Sequence, residues 1–447
     1  ATVMTPGRAG RDGASHRVHA LAPWVLLTAP WVKGDSPARF LADLEKRGEG
    51  LTRPGLAEAL AGEAHRAAIE LCGELDLAPL DGVPVLLAGD SIPRGMRCLP
   101  RGRQPLLAPL LAEGERLGVH LAEKTLAVDL LACDSRVVGV FAIERASGVL
   151  RHVPAEAVVL ACGGVGAVFP TTTSPRWCRG SGLALAAWAG ALLHHPHLTQ
   201  ALPVTSTPPL YFPTSAALLA GYIRVAGAPL APLADLEAAT AAVARALQEG
   251  KAVTLDPTPG FEPMLPARVR ESPAFRRNGQ VPLAVAVHHG IGGVAIDAWG
   301  RTSLAGLYAC GEAAGGVQGA RRTMGTGLLE ARIFARRVAH AVGRDARRLG
   351  AAPPPSACPG PPMPQAPEEL ERRLDELLAP LAVVRPEAEV AATLLELEAW
   401  PMFSVGAAVE EISCRAALRL AAALAILRSC AAGSARGRAS ERREDGN

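Results

Sequence analysis

The sequence predicts an α/β fold: a Rossmann-like domain interrupted by a cap domain and followed by a C-terminal helical domain. Three observations point there. Residues 292–330, GGVAIDAWGRTSLAGLYACGEAAGGVQGARRTMGTGLLE, run strand, turn, strand, glycines, helix start. An apolar strand over 157–161 also ends in glycines, Gly163-Gly164. Between these two stretches lies a proline-interrupted segment, and after them come a Pro-rich linker and helices with apolar stripes.

The chain has 447 residues, 49% of them hydrophobic, with 46 Gly and 38 Pro, which supports a large core and two or three domains. A net charge of +3 gives no electrostatic case for nucleic acid or an anionic membrane. Lysine occurs only at Lys33, Lys46, Lys124 and Lys251, an arginine bias that reflects a GC-rich genome more than a function. Nine cysteines are dispersed, with no CxxC and no His/Cys metal spacing. No metal is therefore expected, and the thiols suggest a reducing, cytoplasmic compartment. No apolar run is read as long enough for a membrane span, and 20–31, broken by Pro23 and Pro30, lacks a signal-peptide layout.

In chain order, nothing before residue 30 fits the strand–GxGxxG–helix opening of a dinucleotide-binding fold. Residues 1–30, with VMTPGRAGRDGASH over 3–16, read as a tail. Ser36 is an N-cap with Pro37 at the first helical position, opening a helical stretch over 36–77. Residues 83–110 hold Pro- and Arg-rich loops. Alternating segments over 120–131 and 137–144 are strands joined by a turn at 133–135. After the 157–161 strand, Thr172-Thr173-Ser174-Pro175 and Arg179-Gly180-Ser181-Gly182 lead into an Ala-rich helix to 191. Their hydroxyls and Gly turns suit a phosphate or flavin edge, or simply a capped helix. Residues 234–250 form an amphipathic helix stopped by Gly250, and helices follow over 368–378, 387–398 and 409–427. The domains are then 1–193 and 288–350 for the two parts of the interrupted domain and 194–287 for the cap. Residues 351–367 are the linker, 368–433 the helical domain and 434–447 a solvated charged tail.

The stretch over 292–330 carries most chemistry. Its strands are read over 294–296 and 306–309, with a turn at Trp299-Gly300 and a helix from about Leu328. Glycines let a ligand approach the backbone, and the first helix N–H groups have no internal partner. Glu312, just after a strand, suits ribose or ribityl hydroxyls as an acceptor. The same spacing also fits an ordinary β–loop–α unit.

GRTSLAGLYACGEAAGGVQGARRTMGTGLLEARIFARR resembles the second flavin-binding segment of the fumarate reductase / succinate dehydrogenase flavoprotein superfamily, and within it the L-aspartate oxidases. The family pattern runs roughly GRTS-x-x-GLYA-x-GE, then G-x-HGANR, then SNSLLE. The chain keeps GRTS, GLYA, Gly311-Glu312, Gly319-Ala320, Arg322 and LLE; it has Gln318 for His, Arg321 for Asn, and Gly325-Thr326-Gly327 for Ser-Asn-Ser. Asp35-Ser36-Pro37, Ala161-Cys162-Gly163-Gly164, the segment over 172–182 and, weakly, the C-terminal helices extend the resemblance. It implies an FAD-binding domain, with FAD bound by Ser15, Val128, Gly163, Gly164, Thr172, Thr173, Gly182, Glu312, Gly327 and Leu328. It also implies that residues 3–16 are the end of the family's second strand and the loop after it, so that the sequence starts after the family's pyrophosphate loop.

The resemblance further implies catalytic roles for Arg322 and His288 on a small-molecule substrate, a dicarboxylate or amino acid. Arginine suits carboxylates because its planar fork binds them bidentately. The implied reaction is that of L-aspartate to iminoaspartate in NAD biosynthesis, with a possible partner subunit. The rest of the substrate pattern departs. Gln-Phe-His-Pro-Thr falls on Gln200-Ala201-Leu202-Pro203-Val204, and Leu-Ala-Pro-Arg on Leu230-Ala231-Pro232-Leu233. The family's charged residues near 214–221 are gone, and His195 and His197 lie out of register. A degraded substrate site is expected. The alternatives are a fumarate reductase / succinate dehydrogenase-like flavoprotein with altered substrate, and a non-catalytic scaffold relative.

Overall fold

The structure, a computed structural model, describes residues 1–16, 24–80, 82–87, 89–102, 104–133, 135–206, 209–210, 212, 217, 221–231, 235–257, 262, 265, 267–349, 363–383, 385–403 and 411–444. The first elements are β1 (Thr2–Met4), β2 (Val25–Thr28) and α1 (Pro37–Gly48). Ser36 Oγ accepts the Arg39 amide at 3.2 Å, so the N-cap read from sequence holds. The single helical stretch expected over 36–77 is two helices. Glu49 (φ 48°) and Gly50 (φ 76°) turn the chain left-handed, and Pro54-Gly55 precede α2 (Leu56–Glu74). Apolar periodicity runs across that break, whereas the Gly and Pro residues make it.

Next come β3 (Leu77–Pro79), β4 (Gly95–Pro100) and α3 (Ala108–Arg116); β4 is a strand inside 83–110, a region expected to be loops, and α3 opens at the end of that region. β5 (His120–Ala122) and β6 (Thr125–Cys133) divide the strand expected over 120–131 at Lys124 (φ 52°). β5 pairs in parallel with β1, while β6 folds back into an antiparallel meander with β7 (Arg136–Glu144) and β8 (Leu150–Pro154). β9 (Val158–Leu160) and α4 (Ser181–Trp188) follow.

After β10 (Leu193–His194), which pairs with residues 293–294 of the main domain, the cap contains β11 (Thr199–Thr205), β12 (Ile223–Val225), β13 (Ala228–Pro229), α5 (Leu236–Gln248), β14 (Val253–Leu255), α6 (Ala267–Arg270), α7 (Pro273–Asn278) and β15 (Val281–Gly290). Five of its strands make one antiparallel sheet, ordered β11-β15-β14-β12-β13. Phe212, Ile223, Val243, Leu255 and Leu283 form a separate small core there. β15 starts in that core and ends at Gly290, so one strand ties the cap to the rest.

The chain continues through β16 (Gly293–Ala295), β17 (Leu307–Ala309), β18 (Ala314–Gly315) and α8 (Gly327–Leu349) to α9 (Pro367–Leu378), α10 (Glu387–Glu398) and α11 (Glu411–Glu444). β17 pairs in parallel with β9. Among the described residues, β1–β5 and β9–β17 remain two separate parallel pairs. Leu370, Leu374, Leu397, Leu418 and Leu427 belong to the main core, so the last helices pack as part of it. α11 runs on to Glu444, through part of the stretch expected as a charged tail, and it corrects one expectation. Its segment Glu411–Gly433 is long and apolar enough to cross a membrane, with mean hydropathy 1.5. Half of that window is buried within the protein, against α4, α9 and α10.

A buried charge cluster closes the α1 side. Arg94, fully buried, donates Nε and Nη2 to Asp35 at 2.8 and 2.9 Å and Nη1 to Asp43. Asp90 lies 3.7 Å from Nη1, and neither of its oxygens has a hydrogen-bond partner. Burial pushes its carboxyl up to about 7, aided by Asp43 and Asp35 and opposed by Arg94 and Arg47. The folded protein therefore keeps this proton up to about pH 7, whereas the unfolded chain releases it near about pH 4. Stability from this group is full below about pH 4 and falls as pH rises through that window. Asp90→Asn should raise Tm at pH 8, with the gain shrinking toward zero near pH 4. Thermal melts at both pH values check this; equal melting of the two proteins at pH 8 refutes it.

Candidate active site

β15 carries a bulge where it reaches the main domain. Gln200 pairs with His289 and Ala201 with Val287, so the ladder skips His288. Bulges re-aim side chains, and His288 Nδ1 lies 2.8 Å from Thr173 Oγ1. His289 Nδ1 lies 3.4 Å from Glu312 Oε2, and the Gly290 amide donates to Glu312 Oε1 at 2.8 Å. Gly164 faces that same Oε1 so closely that any β-carbon would collide with the carboxylate. Three distant segments therefore converge on Glu312.

Arg322 sits beside them, 8% exposed, donating Nη1 to Gln200 Oε1 at 3.3 Å. A β-carbon on Gly327 would lie 2.8 Å from Arg322 Nη2 and 3.8 Å from His289 Cε1, so α8 starts against both. Gln318, which replaces a His of the pattern, splints the loop. Its Nε2 donates to Thr326 Oγ1 at 3.0 Å and to Glu330 Oε2 at 2.8 Å, and its Oε1 accepts the Thr323 amide at 3.1 Å.

Burial sets the electrostatics. It drives His288 down to about 3 and His289 well below the ordinary value, with Arg322 adding to both. Both rings are neutral at physiological pH. Burial also raises Glu312, and raises Glu330 to about 7 against the pull of Gln318 and Arg322. Arg322 is the cation of this cluster.

Of the residues expected to bind cofactor or act chemically, Arg322, His288, Glu312, Gly164, Thr173 and Gly327 come together. Thr172 Oγ1 donates to the Val287 carbonyl at 2.8 Å, tying its loop to β15. Gly163 and Gly182 pack on Cys178 and Cys162 beside this cluster. Ser15 lies in the short helical stretch 14–16, and the backbone of its neighbour Ala14 and that of Gly164 both approach the Cys178 thiol. Leu328 packs on the main core. Val128, buried at an irregularity in β6, belongs to the meander, with no described contact to Arg322. Leu202 is fully buried two residues along from Gln200, on the same face of β11. Leu233 and, within 214–221, residues 214–216 and 218–220 lie outside the described residues. His194 Nε2 lies 2.9 Å from the Leu51 carbonyl, and His197 Nδ1 lies 2.8 Å from Ser429 Oγ. Among the described residues no group of His, Cys, Asp or Glu is placed to hold a metal.

Sequence reading did not single out Gln200, His289 or Glu330. Gln200 and Arg322 are 122 positions apart, and no local pattern links them. His289 had one signal, its place next to a motif histidine at a strand end.

The FAD binding domain family matches residues 20–228 and 236–328, more than half of the chain. An L-aspartate oxidase of Caulobacter vibrioides is 33% identical over 405 residues, covering 81% of this chain and 78% of that protein. The chain belongs to this family of FAD-dependent oxidoreductases. Its fold agrees. Sdh1 of Mycobacterium smegmatis, solved in complex with UQ1, superposes with a TM-score of 0.76 at 21% identity, covering 97% of this chain and 82% of that one. A quinol-fumarate reductase gives 0.79 at 17% identity, covering 96% and 85%.

The residues present fit the family's FAD. His16 Nδ1, next to Ser15, is buried without a hydrogen-bond partner among the described residues. An unmet polar atom of that kind calls for a ligand. Gly164→Ala must displace Glu312 and should cut the flavin content of the purified protein about tenfold. The visible absorption spectrum reads this, with circular dichroism confirming the fold; full flavin content would mean that Glu312 can move without consequence.

Proposed function

We propose that this member of the family is an FAD-dependent oxidoreductase of the L-aspartate oxidase type, in which Arg322 and Gln200 hold a substrate carboxylate. The observation that carries this reading is the pairing of a buried guanidinium with a buried amide N–H that lacks a protein acceptor. A carboxylate satisfies both. When bound, FAD supplies the two-electron acceptor. The protein's residues supply the rest: Arg322 holds and polarises the substrate, and Thr173 orients a neutral His288. Because both histidines are uncharged, a substrate carboxylate is drawn to Arg322.

The substrate class is an amino acid or dicarboxylate, with L-aspartate to iminoaspartate, feeding NAD biosynthesis, as the reference reaction. Leu202 gives a second carboxylate no partner, and an apolar wall cannot repay its desolvation. L-Aspartate is therefore turned over poorly. Buried Leu202 also favours the second reading, a fumarate reductase / succinate dehydrogenase-like flavoprotein with a more apolar substrate. A cytoplasmic location and a partner subunit complete the proposal. The first is supported by cysteines that form no disulfide among the described residues, the second by the likeness to Sdh1.

Arg322→Lys keeps the charge but loses the fork. It should lower kcat/KM about a hundredfold in flavin-loaded protein. A change within about twofold in steady-state assay would make Arg322 structural. Leu202→His combined with Leu233→Arg should raise aspartate turnover more than either change alone, because both groups act on one substrate. Iminoaspartate or peroxide formation by the four proteins measures this. Vigorous aspartate oxidation by the unmodified protein refutes it.

A further inference from the structure

The cap meets the Arg322 loop through ion pairs that the chemistry above leaves unused. α5 carries Asp235 as its N-cap and Glu237 in its first turn. Arg47, in the last turn of α1 and 8% exposed, uses a single nitrogen for two acceptors. Its Nη2 donates to Glu237 Oε1 at 3.1 Å and to the carbonyl of Arg322 at 2.8 Å. The cap helix and the backbone of Arg322 thus share one guanidinium corner. Arg321 adds a second arm. Its Nη1 donates to Asp235 Oδ2, and its Nη2 lies 2.8 Å from Glu49 Oε1 at the end of α1. The other Asp235 oxygen caps α5 by accepting the Ala238 amide at 2.7 Å.

Backbone contacts make the loop and α1 one unit. The Ala320 amide donates to the Gly48 carbonyl at 3.1 Å, and Gly319 lies against Gly48 where a β-carbon would collide. Gly89 (φ 90°) likewise leaves the space that Arg47 Nη1 fills.

We infer that Arg47 is a positioning residue: with Arg321 it forms a clamp that couples the seating of cap helix α5 to the placement of Arg322. The link to substrate rests on the reading of Arg322 as the carboxylate anchor. Each ion pair is partly exposed, with Glu237 at 28% and Arg321 at 36%, and alone holds weakly. The coupling comes from sharing. If the cap lifts, Arg47 loses Glu237 while its Nη2 still faces the Arg322 carbonyl, so the two contacts on that nitrogen are no longer shared. By linkage, whatever fixes Arg322 also tightens the cap, and the reverse.

Amide hydrogen exchange on the full chain tests this, using Glu237→Gln, which keeps shape and loses charge. Asp235→Asn serves as the second variant, because Asn still caps a helix. In both, the first turn of α5 and the amides of 320–327 should exchange about five times faster, while β6 and β7 are unchanged. Succinate added to the unmodified protein should slow exchange in both segments. Faster exchange in α5 alone, or no change in either segment, overturns the clamp. If the variants loosen both segments but succinate protects neither, the clamp stands and the carboxylate reading of Arg322 fails.

Discussion

The carboxylate of Glu312, wedged between Gly164 and the amide of Gly290, is the contact on which the rest of the site depends. It joins the loop after β9, the end of β15 and the turn after β17, three segments that share no sequence neighbourhood. A carboxylate buried this far is tolerated only if its oxygens find donors. Gly290 supplies one donor, and His289 lies opposite the other oxygen. The absence of a side chain at Gly164 is as necessary as either contact.

From that anchor the electrostatics follow. Burial neutralises both histidines and lifts Glu312 and Glu330. Against this background the charge of Arg322 acts with little competition, which is how a low-dielectric site makes one cation count. The Arg94 cluster shows the same physics turned to structure: one guanidinium pairs Asp35 and Asp43, and Asp90 is left to hold a proton.

The cap is built differently from the rest. It has its own small core and a mainly antiparallel sheet, and it meets the main domain through β15 and through polar contacts at the start of α5. Strand β15 fixes one edge and, through Gln200 of its neighbour β11, also reaches Arg322, while ion pairs hold the other edge.

Much of this was legible from the residues alone. The glycine-rich run over 292–330, the Ser36 cap, the α5 and α9 boundaries and the family itself follow from local pattern, since capping, periodicity and motif spacing act within a few residues. Arg322 and Glu312 were legible for the same reason. The break between α1 and α2 is local as well, made by Gly50, Pro54 and Gly55 against an unbroken apolar period. Tertiary structure alone decided the burial of half of an apolar span in α11. It alone decided that Gln200 meets Arg322 and that a bulge turns His288 to Thr173. Those outcomes depend on which segments pack together across a hundred or more positions. Burial, register and shared hydrogen bonds exist only once the chain has closed on itself.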